Sequence, residues 1–335
     1  MAENLDHRSF LIKKLMSTVK KYLSLIKFSH TIFAMPFAMI GFFIPASALI
    51  KLIIDYSCKD LPCFPSEEIN LRRVIYFEQG TPHDLIAVVL RLGLIILCMI
   101  FARSAAMSFN RYLDRSFDAK NPRTAIREIP SGILNANSVL LFTIVNCLLF
   151  VACTFFINRI CFYLSPVALF VVLGYSYTKR FTPLCHLILG LGLSLAPIGA
   201  YLAVTGRFSL LPLLFSFAVI FWVSGFDIIY ALQDEEFDKS QKLYSIPASL
   251  GKTKALRVSE LLHVLSAGCV IFAGYYGSFG WLYWIGVAVF CGMLIYQHSI
   301  VKPNDLRRVN LAFMTANGIA SVVFAVFVIA DLFIN

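Results

Sequence analysis

Charged side chains are scarce in this sequence. Aspartate, glutamate, lysine and arginine together make up 14% of its 335 residues, whereas 59% are hydrophobic. Soluble globular domains are about one-quarter charged, so the composition excludes an ordinary soluble domain. Acidic residues are the scarcer kind, 19 against 29 basic ones, for a formal net charge of +10. Nucleic-acid-binding proteins are also basic, but the sequence contains no RNA- or DNA-binding module.

Motifs of many soluble enzymes are absent too. The sequence has no P-loop, dinucleotide-binding fingerprint, nucleophile elbow or c-type haem motif. Its cysteines include no CxxC pair and its histidines show no ligand spacing, which excludes the usual zinc sites. We interpret the histidines as interfacial or hydrogen-bonded, with only His30 near the site predicted below. Most cysteines lie in apolar runs, but Cys58 and Cys63 share a polar loop, where a disulfide stays an open alternative.

Long apolar runs are what the sequence contains instead. Each has about the 20 residues that a helix needs to cross a bilayer. We therefore predict an all-α integral membrane protein with nine transmembrane helices, and the lipid bilayer as its environment. The predicted spans are residues 28–52, 85–109, 137–157, 160–178, 184–203, 210–232, 256–276, 280–299 and 309–332.

Lysine and arginine are concentrated in alternate connections between these spans. With the N-terminus inside, the inner segments carry most of them, while the short outer loops hold little beyond Arg159 and Arg207. A longer outer loop, about residues 53–84, balances its basic residues with acidic ones. This asymmetry follows the positive-inside rule. It predicts a cytoplasmic N-terminus, an external C-terminus and location in the cytoplasmic (inner) membrane.

Residues 1–27 precede the predicted membrane domain, 28–335. Within them, Leu11, Leu15 and Val19 recur at helical spacing, with lysines on other faces. The pattern is typical of an amphipathic helix on an anionic membrane surface. A plain basic flank to the first span explains the lysines equally well. We expect no cleavable signal peptide, because the following apolar span is too long for one.

Two pairs of aspartates stand at the inner ends of predicted spans. Asn110, Asp114 and Asp118 are spaced four residues apart, so they share one helix face. Asp234 and Asp238 repeat the spacing four spans later, again before a basic loop. One such aspartate pair alone more often marks a solvated helix end. Two copies on the same side of the membrane favour joint binding of Mg²⁺ and a diphosphate. The repeat also predicts two four-helix units plus a ninth helix around one cytoplasm-facing cavity.

Basic and buried polar residues complete the predicted site. Tyr175 and Lys179 are four residues apart, and Arg180 follows directly. A cation at this position can bind a phosphate or a carboxylate, or it can simply anchor the helix at the membrane interface. Asp227 and Arg103 are ionisable groups inside apolar spans, which favours a functional role over a structural pairing with each other or with other buried groups. Arginine suits phosphate, and the candidate phosphate-binding residues around the first motif are Arg111, Arg115, Lys120, Arg123 and Arg127.

In combination, these motifs resemble the UbiA intramembrane prenyltransferases. The first signature is NRYLDRSFD at 110–118, with NPRT at 121–124 and REIPSG at 127–132. The second runs from Asp227 to Asp238, and Tyr175 with Lys179 matches the short motif between them. SHTIF at 29–33 is similar to the first span of the family. The outer loop is longer than the family pattern, and its role is open.

The resemblance implies a fold and a reaction. The family fold has nine helices around a cytoplasm-facing cavity with a lateral opening for the polyprenyl tail. Its members use Mg²⁺ to draw the diphosphate from a polyprenyl diphosphate, and a ring carbon of an aromatic hydroxy acid then attacks the allylic cation. The implied roles are for Lys179, Arg180 and Arg103 to hold the acceptor carboxylate, and for Asp227 and Tyr175 to orient its phenol.

The sequence narrows the choice of aromatic acceptor but does not decide it. Residues 123–130 look more like 4-hydroxybenzoate polyprenyltransferases of ubiquinone biosynthesis than haem or chlorophyll enzymes. They are also similar to a subgroup that prenylates a dihydroxynaphthoate in menaquinone synthesis. A magnesium or organic-anion transporter is the non-enzymatic alternative, but it would need polar groups along a transmembrane path, whereas the acids here cluster at one face. The sequence indicates neither a protein partner nor a prenyl chain length.

Overall fold

The computed structural model describes residues 20–26, 33–58 and 85–335, and no side chain in 52–58 or at 85. Within these ranges the secondary structure is helical, apart from an isolated bridge between Lys302 and Asp305. Helices satisfy every backbone group internally, as a hydrocarbon environment requires. The all-α prediction is confirmed. His30, Cys63 with its possible disulfide, and most of the outer loop and N-terminal segment lie outside the described residues.

The helices are labelled here in chain order. A 3₁₀ turn, Leu232–Asp234, joins α7 to α8, and a π-helical turn, Leu311–Ala316, leads into α11. The bounds are α1, 20–26; α2, Met35–Cys58; α3, Leu85–Asp118; α4, Ala136–Ile157; α5, Arg159–Thr178; α6, Cys185–Thr205; α7, Leu210–Ala231; α8, Glu235–Ser240; α9, Ile246–Tyr276; α10, Trp281–Ile300; and α11, Asn317–Ile334.

Eight helical stretches in the described part of the chain are long and apolar enough to cross a membrane. They contain α3 to α7 and α9 to α11, whereas α2 adds a shorter apolar stretch, Met35–Lys51. The predicted count of nine is therefore not confirmed. Large apolar side chains such as Leu148, Phe170, Val264 and Ile295 are exposed on the outside of the bundle, as expected of a lipid-facing surface.

Two helices differ from their predicted bounds near the site. The prediction ended the second span at 109, but α3 continues to Asp118 and carries the whole first aspartate motif. The prediction began the seventh span at 256, but α9 begins at Ile246 and is kinked at Gly251, where φ is +76°. Only glycine adopts such a backbone without strain. Hydropathy detects apolar runs, so it missed the polar start of α9, whereas the polar end of α3 is indicated by the helical spacing of Asn110, Asp114 and Asp118.

An aromatic core joins four of the helices. Phe37 of α2, Phe215 and Trp222 of α7, Phe290 of α10 and Phe324 of α11 are all fully buried in it. Helices α3 to α6 pack in sequence on one side of α2, and α7, α9, α10 and α11 on the other. Because α2 contacts both α6 and α11, it closes the arrangement.

Small residues let α6 approach its neighbours closely. A Cβ on Gly190 would lie 2.5 Å from the Ile220 carbonyl oxygen of α7, so only glycine fits there. At Gly41 of α2, a Cβ would lie 2.0 Å from the Pro197 oxygen of α6. Gly199, by contrast, has no atom within 4 Å of a Cβ position and instead leaves space beside the helix.

The described end of the N-terminal segment packs on the protein. In α1, Leu25 and Ile26 are buried. The Ser24 hydroxyl donates to Glu128 Oε1 at 2.6 Å, which ties α1 to the connection that follows α3. The predicted amphipathic surface helix lies mostly outside the described residues and stays a prediction.

Candidate active site

The two aspartate motifs meet in one polar pocket of about 280 Å³. They arrive at the C-terminal ends of α3 and α7, beside the end of α5 and the start of α6. All five predicted metal ligands line the pocket: Asn110, Asp114, Asp118, Asp234 and Asp238. The stripe predicted on α3 thus faces its partner motif, as the repeat indicated.

Basic side chains hold the carboxylates of the first motif. Lys179 Nζ lies 2.6 Å from Asp114 Oδ2, and Arg180 lies 3.3 Å from Asp114 Oδ1. Arg127 pairs with Asp118 Oδ1 at 2.6 Å. Asn110 donates to Asp114 Oδ2 at 3.1 Å. Asp114 and Asp118 are 2% and 6% exposed, so these cations compensate buried negative charge.

The second motif is held by the connection after α3. Arg123 forms an ion pair with Asp234 and donates to the Tyr230 hydroxyl at 3.0 Å. Burial alone lowers the pKa of Arg123, but the pair with Asp234 outweighs burial and raises it. The Asn121 amide donates to Asp234 Oδ1 at 3.3 Å. Asn121 begins the NPRT motif, and the structure brings it to the site.

Three buried polar atoms in the pocket have no hydrogen-bond partner among the described residues: Asp118 Oδ2, Arg103 Nε and Arg111 Nε. Such atoms are costly unless something pairs with them. The free carboxylate oxygen suits a cation, and the two guanidinium nitrogens suit an anion. No three acidic, cysteine or histidine side chains of the described chain form a preassembled metal site, because lysine and arginine already occupy most carboxylate oxygens. The oxygen donors nevertheless fit Mg²⁺, which needs only one or two carboxylates besides phosphate and water.

Three predicted substrate-binding residues do not line the pocket. Arg115 follows Asp114 on the helix, so it points away from the pocket, where it is exposed and donates to the Tyr112 carbonyl at 2.6 Å. Lys120 is also exposed and reaches Gln241 at 3.4 Å. Arg180 stands behind Asp114 without lining the pocket. Of the described basic residues, those that line it are Arg103, Arg111, Arg123, Arg127 and Lys179.

A histidine enters the site where none was expected. His186 lines the pocket, with Nδ1 2.7 Å from Asp227 Oδ2. The prediction that only His30 lay near the site was therefore wrong, since the first turn of α6 carries His186 to Asp227. No ion pair joins the described side chains of Asp227 and Arg103; the buried group that pairs with Asp227 is His186. His186 is a lone histidine without ligand spacing, so its position seven residues after Lys179 was the only sign in the sequence that it lies near the site.

An apolar cavity of about 370 Å³ adjoins the polar pocket. Arg103, Tyr175, Leu189 and Leu193 line both spaces, so they mark the junction. From there the cavity follows α5 back to Cys161, about 21 Å along the helix at 1.5 Å per residue. Its other walls are α3, α4 and α6. The site therefore joins a charged head region to a long apolar channel.

Aromatic rings form the wall of the polar pocket opposite α5. Phe313, in the π-helical turn, lies 4.3 Å from the Tyr230 ring and 5.4 Å from the Phe226 ring, measured between centroids. The Asn317 amide donates to the carbonyls of Ala312 and Phe313 at 3.3 and 3.0 Å, so its side chain stabilises the turn. The turn thus places Phe313 in the pocket.

These features define a multi-span helical membrane protein whose pocket suits a substrate with an anionic head and an apolar tail. The chain belongs to the UbiA prenyltransferase family, whose sequence model matches residues 75–319. The resemblance seen in the motifs is therefore confirmed.

Curated relatives and solved structures agree with this membership. A 4-hydroxybenzoate octaprenyltransferase of Paraburkholderia phymatum is 29% identical over 248 residues, 74% of this chain and 84% of the relative. One of Francisella tularensis is 27% identical over 260 residues, 78% and 89% of the two chains. The apo structure of a UbiA homologue from Aeropyrum pernix has a TM-score of 0.68 at 25% identity, covering 91% of this chain and 97% of that one. A UbiA homologue from Archaeoglobus fulgidus, bound to DMAPP and Mg²⁺, has the same fold, with a TM-score of 0.63 at 18% identity, covering 93% and 99%.

Proposed function

We propose that this protein transfers a polyprenyl group from a polyprenyl diphosphate to a ring carbon of an aromatic hydroxy acid of the 4-hydroxybenzoate type. The observation that carries the proposal is the direct junction between a pocket lined by aspartates and arginines and a long apolar cavity. The 4-hydroxybenzoate octaprenyltransferases among the relatives support this acceptor and a role in ubiquinone biosynthesis.

The diphosphate occupies the polar pocket in this proposal. Its charge is balanced by Arg111, whose Nε is unpaired, and by Arg123, Arg127 and Lys179, which exchange their aspartate partners for phosphate oxygens. The oxygens then freed on Asp114, Asp118 and Asp234 would hold Mg²⁺ together with Asp238 and Asn110. Bound there, Mg²⁺ neutralises the charge that develops on the leaving diphosphate. Among these residues, Asp118 already presents an unpaired oxygen.

The reacting carbon lies at the junction, because the diphosphate occupies one side of it and the tail the other. Arg103 is buried there with an unpaired Nε, and it binds the acceptor carboxylate. Tyr175, from the facing helix, orients the acceptor ring. The bond between the allylic carbon and the diphosphate oxygen breaks with its electron pair on oxygen. A new carbon–carbon bond forms to the ring, and the proton displaced from the acceptor passes to Asp227.

The apolar cavity receives the tail. Its walls from α3 to α6 offer almost no hydrogen-bonding groups, so water gains little by entering. Exclusion of water protects an allylic cation from hydrolysis. The same cavity explains why a prenyl donor, rather than a soluble diphosphate, is the substrate we propose.

Membrane placement forms part of the proposal. Lysine and arginine are concentrated at the pocket end of the bundle, which supports a pocket facing the cytoplasm under the positive-inside rule. The N-terminus is then cytoplasmic and the C-terminus external, in the cytoplasmic (inner) membrane.

The decisive experiment is a transfer assay with the purified protein in detergent or vesicles. Octaprenyl diphosphate and Mg²⁺ are supplied with either 4-hydroxybenzoate or a dihydroxynaphthoate, and products are identified by mass spectrometry. We expect the prenylated 4-hydroxybenzoate, and no product when Mg²⁺ is chelated. If only the naphthoate is prenylated, the acceptor is the dihydroxynaphthoate of menaquinone synthesis and not 4-hydroxybenzoate. If neither acid is prenylated, the proposed function is wrong.

A further inference from the structure

His186 is the buried polar residue that links three helices beside the pocket. It lies in the first turn of α6 and is 3% exposed. Its Nδ1 contacts Asp227 Oδ2 of α7 at 2.7 Å, and its Nε2 accepts from the backbone N–H of Ile246 at 3.4 Å, where α9 begins. The histidine therefore connects the interior aspartate to the segment that follows the second motif.

The close contact of α6 with α7 makes this pairing possible. One turn after His186, Gly190 leaves no room for a side chain between the two helices. The Ser224 hydroxyl, one turn before Asp227, donates to the His186 carbonyl oxygen at 3.1 Å. The imidazole and the carboxylate are thus held together by the packing of their helices, not only by their own hydrogen bond.

The two contacts of the ring select one tautomer. A backbone N–H can only donate, so Nε2 must offer its lone pair to Ile246. The proton of a neutral imidazole then sits on Nδ1 and is donated to Asp227. A doubly protonated ring would set one N–H against another at Nε2. The Ile246 amide, an orphan donor at a helix start, thereby fixes Nε2 as an acceptor and leaves Nδ1 as the donor to Asp227.

Asp227 consequently differs from three other aspartates of the pocket. Asp114, Asp118 and Asp234 are each paired with lysine or arginine, whereas the Asp227 side chain, 24% exposed, is paired with His186. A carboxylate held by a neutral donor keeps its negative charge uncompensated by a neighbouring cation. Among the described residues, Asp227 therefore forms no ion pair with lysine or arginine, and the oxygen that His186 does not bind is available to the pocket.

We propose that His186 is a positioning residue for the transfer reaction, which rests on the proposed function above. Its neutral imidazole fixes Oδ2 of Asp227, so that the second oxygen of this carboxylate faces the pocket and takes the proton displaced from the aromatic acceptor. His186 itself contacts neither the diphosphate nor the metal in this arrangement.

Kinetics of two variants and a matched control test the role. Removing a general base typically lowers the rate 10²- to 10⁴-fold. His186→Leu removes only the support of the base Asp227, so kcat should fall about ten-fold, with the KM for the prenyl diphosphate unchanged. His186→Gln supplies a neutral donor and an acceptor, and should restore kcat to within about three-fold of wild type, a difference below 1 kcal/mol. The control His298→Gln changes a half-buried histidine of α10 that lines neither cavity. An unchanged kcat in His186→Leu, or equal loss in both His186 variants, would overturn the proposal.

A second measurement does not depend on activity. In protein labelled with ¹⁵N-histidine, the His186 resonances are identified by their loss in His186→Gln. We expect a neutral ring protonated on Nδ1, and a changed Nδ1 signal in Asp227→Ala. A ring protonated on Nε2 or on both nitrogens contradicts the proposed hydrogen bonds, even if the variants are impaired.

The experiments separate the two proposals. An active wild type with a fully active His186→Leu would leave the transfer function standing and remove the positioning role. A wild type that prenylates neither aromatic acceptor would overturn the function, and the positioning role with it.

Discussion

Asp114 and Asp234 each pair with a cation in the structure and, in the proposed function, exchange that cation for Mg²⁺. Asp114→Asn and Asp234→Asn keep the side-chain shape but remove the charge that holds the metal. We expect each to lower kcat about 10²- to 10³-fold, the size of effect seen when one group that stabilises a developing charge is lost. The Mg²⁺ concentration for half-maximal activity should also rise. Steady-state assays over a Mg²⁺ titration measure both.

A matched control for these two variants is Asp305→Asn. Asp305 is exposed, lies between α10 and α11, and pairs with its neighbour Arg307 at 2.7 Å. Its loss should leave activity and the Mg²⁺ requirement unchanged. Full activity in both Asp114→Asn and Asp234→Asn would be incompatible with the proposed metal site.

Arg103 has the clearest expected effect on the acceptor. Its buried Nε is unpaired and lies where the polar pocket meets the apolar cavity. Arg103→Leu should raise the KM for the aromatic acid by about ten-fold or more, because a charged hydrogen bond contributes about 1.5–3 kcal/mol. The KM for the prenyl diphosphate should change little. Arg115→Leu, on the same helix but exposed, is the control, and an equal effect of both variants would contradict the assignment.

Residue spacing predicted the acidic part of the site better than the basic part. Asn110, Asp114 and Asp118 are rigidly spaced on one helix, so their shared face follows from the sequence. Arg115 and Lys120 lie in the same segment, but a helix turns by about 100° per residue, and nearness in sequence does not imply a shared face. His186 could not be placed, because its partner Asp227 is on another helix.

At the scale of helices, the contact between α6 and α7 depends on Gly190. Gly190→Ala would place a Cβ 2.5 Å from the Ile220 oxygen, and overpacking of this kind costs about 1–3 kcal/mol. Gly192→Ala, in the same helix, would meet only Val172 at 3.9 Å and is the matched control. Thermal unfolding in detergent should show a lower Tm for Gly190→Ala alone. Equal Tm values would mean that α6 and α7 are less closely packed than described.

The π-helical turn before α11 makes a second prediction at this scale. Asn317 accepts from the Trp222 indole at 2.9 Å and from the Gln297 amide at 2.8 Å, while its own amide donates to the turn. Asn317→Leu should lower stability by about 1–3 kcal/mol for each group left buried and unpaired. The control Asn137→Leu, at an exposed position, should leave stability unchanged. Unfolding measurements on both variants test this, and a stable, fully active Asn317→Leu would remove the proposed support of Phe313.

Helix positions followed from hydropathy because lipid exposure demands long apolar runs, and α4 to α7 and α10 begin and end within about two residues of their predicted bounds. The polar start of α9 was missed for the same reason, since nothing apolar marks it, and the polar end of α3 is indicated only by the spacing of its motif. The π-helical turn depends on side chains of α7 and α10 that a local reading of α11 cannot supply. Long-range hydrogen bonds, not local pattern, therefore set the details of the pocket.

For the molecule as a whole, the division into a polar pocket and an apolar cavity determines which substrates fit. Charge is gathered where helix ends and connections meet, and the apolar cavity lies between the middle parts of α3 to α6. A donor must therefore enter with its diphosphate at one end and its tail along the helices. This division predicts that the cavity discriminates donors by tail length without affecting the chemistry at the junction.

Gly199 offers a direct test of that discrimination. It lines the apolar cavity, and no atom lies within 4 Å of its Cβ position, so Gly199→Phe should fold and place a ring in the path of the tail. We expect kcat/KM for octaprenyl diphosphate to fall at least ten-fold, while that for dimethylallyl diphosphate changes less than two-fold, because the short tail ends near the junction. Gly268→Phe, at an exposed glycine of α9 with similar open space, controls for the added ring. An equal loss with both donors would indicate damage to the pocket itself, and no loss with either would show that the tail leaves the protein before reaching Gly199.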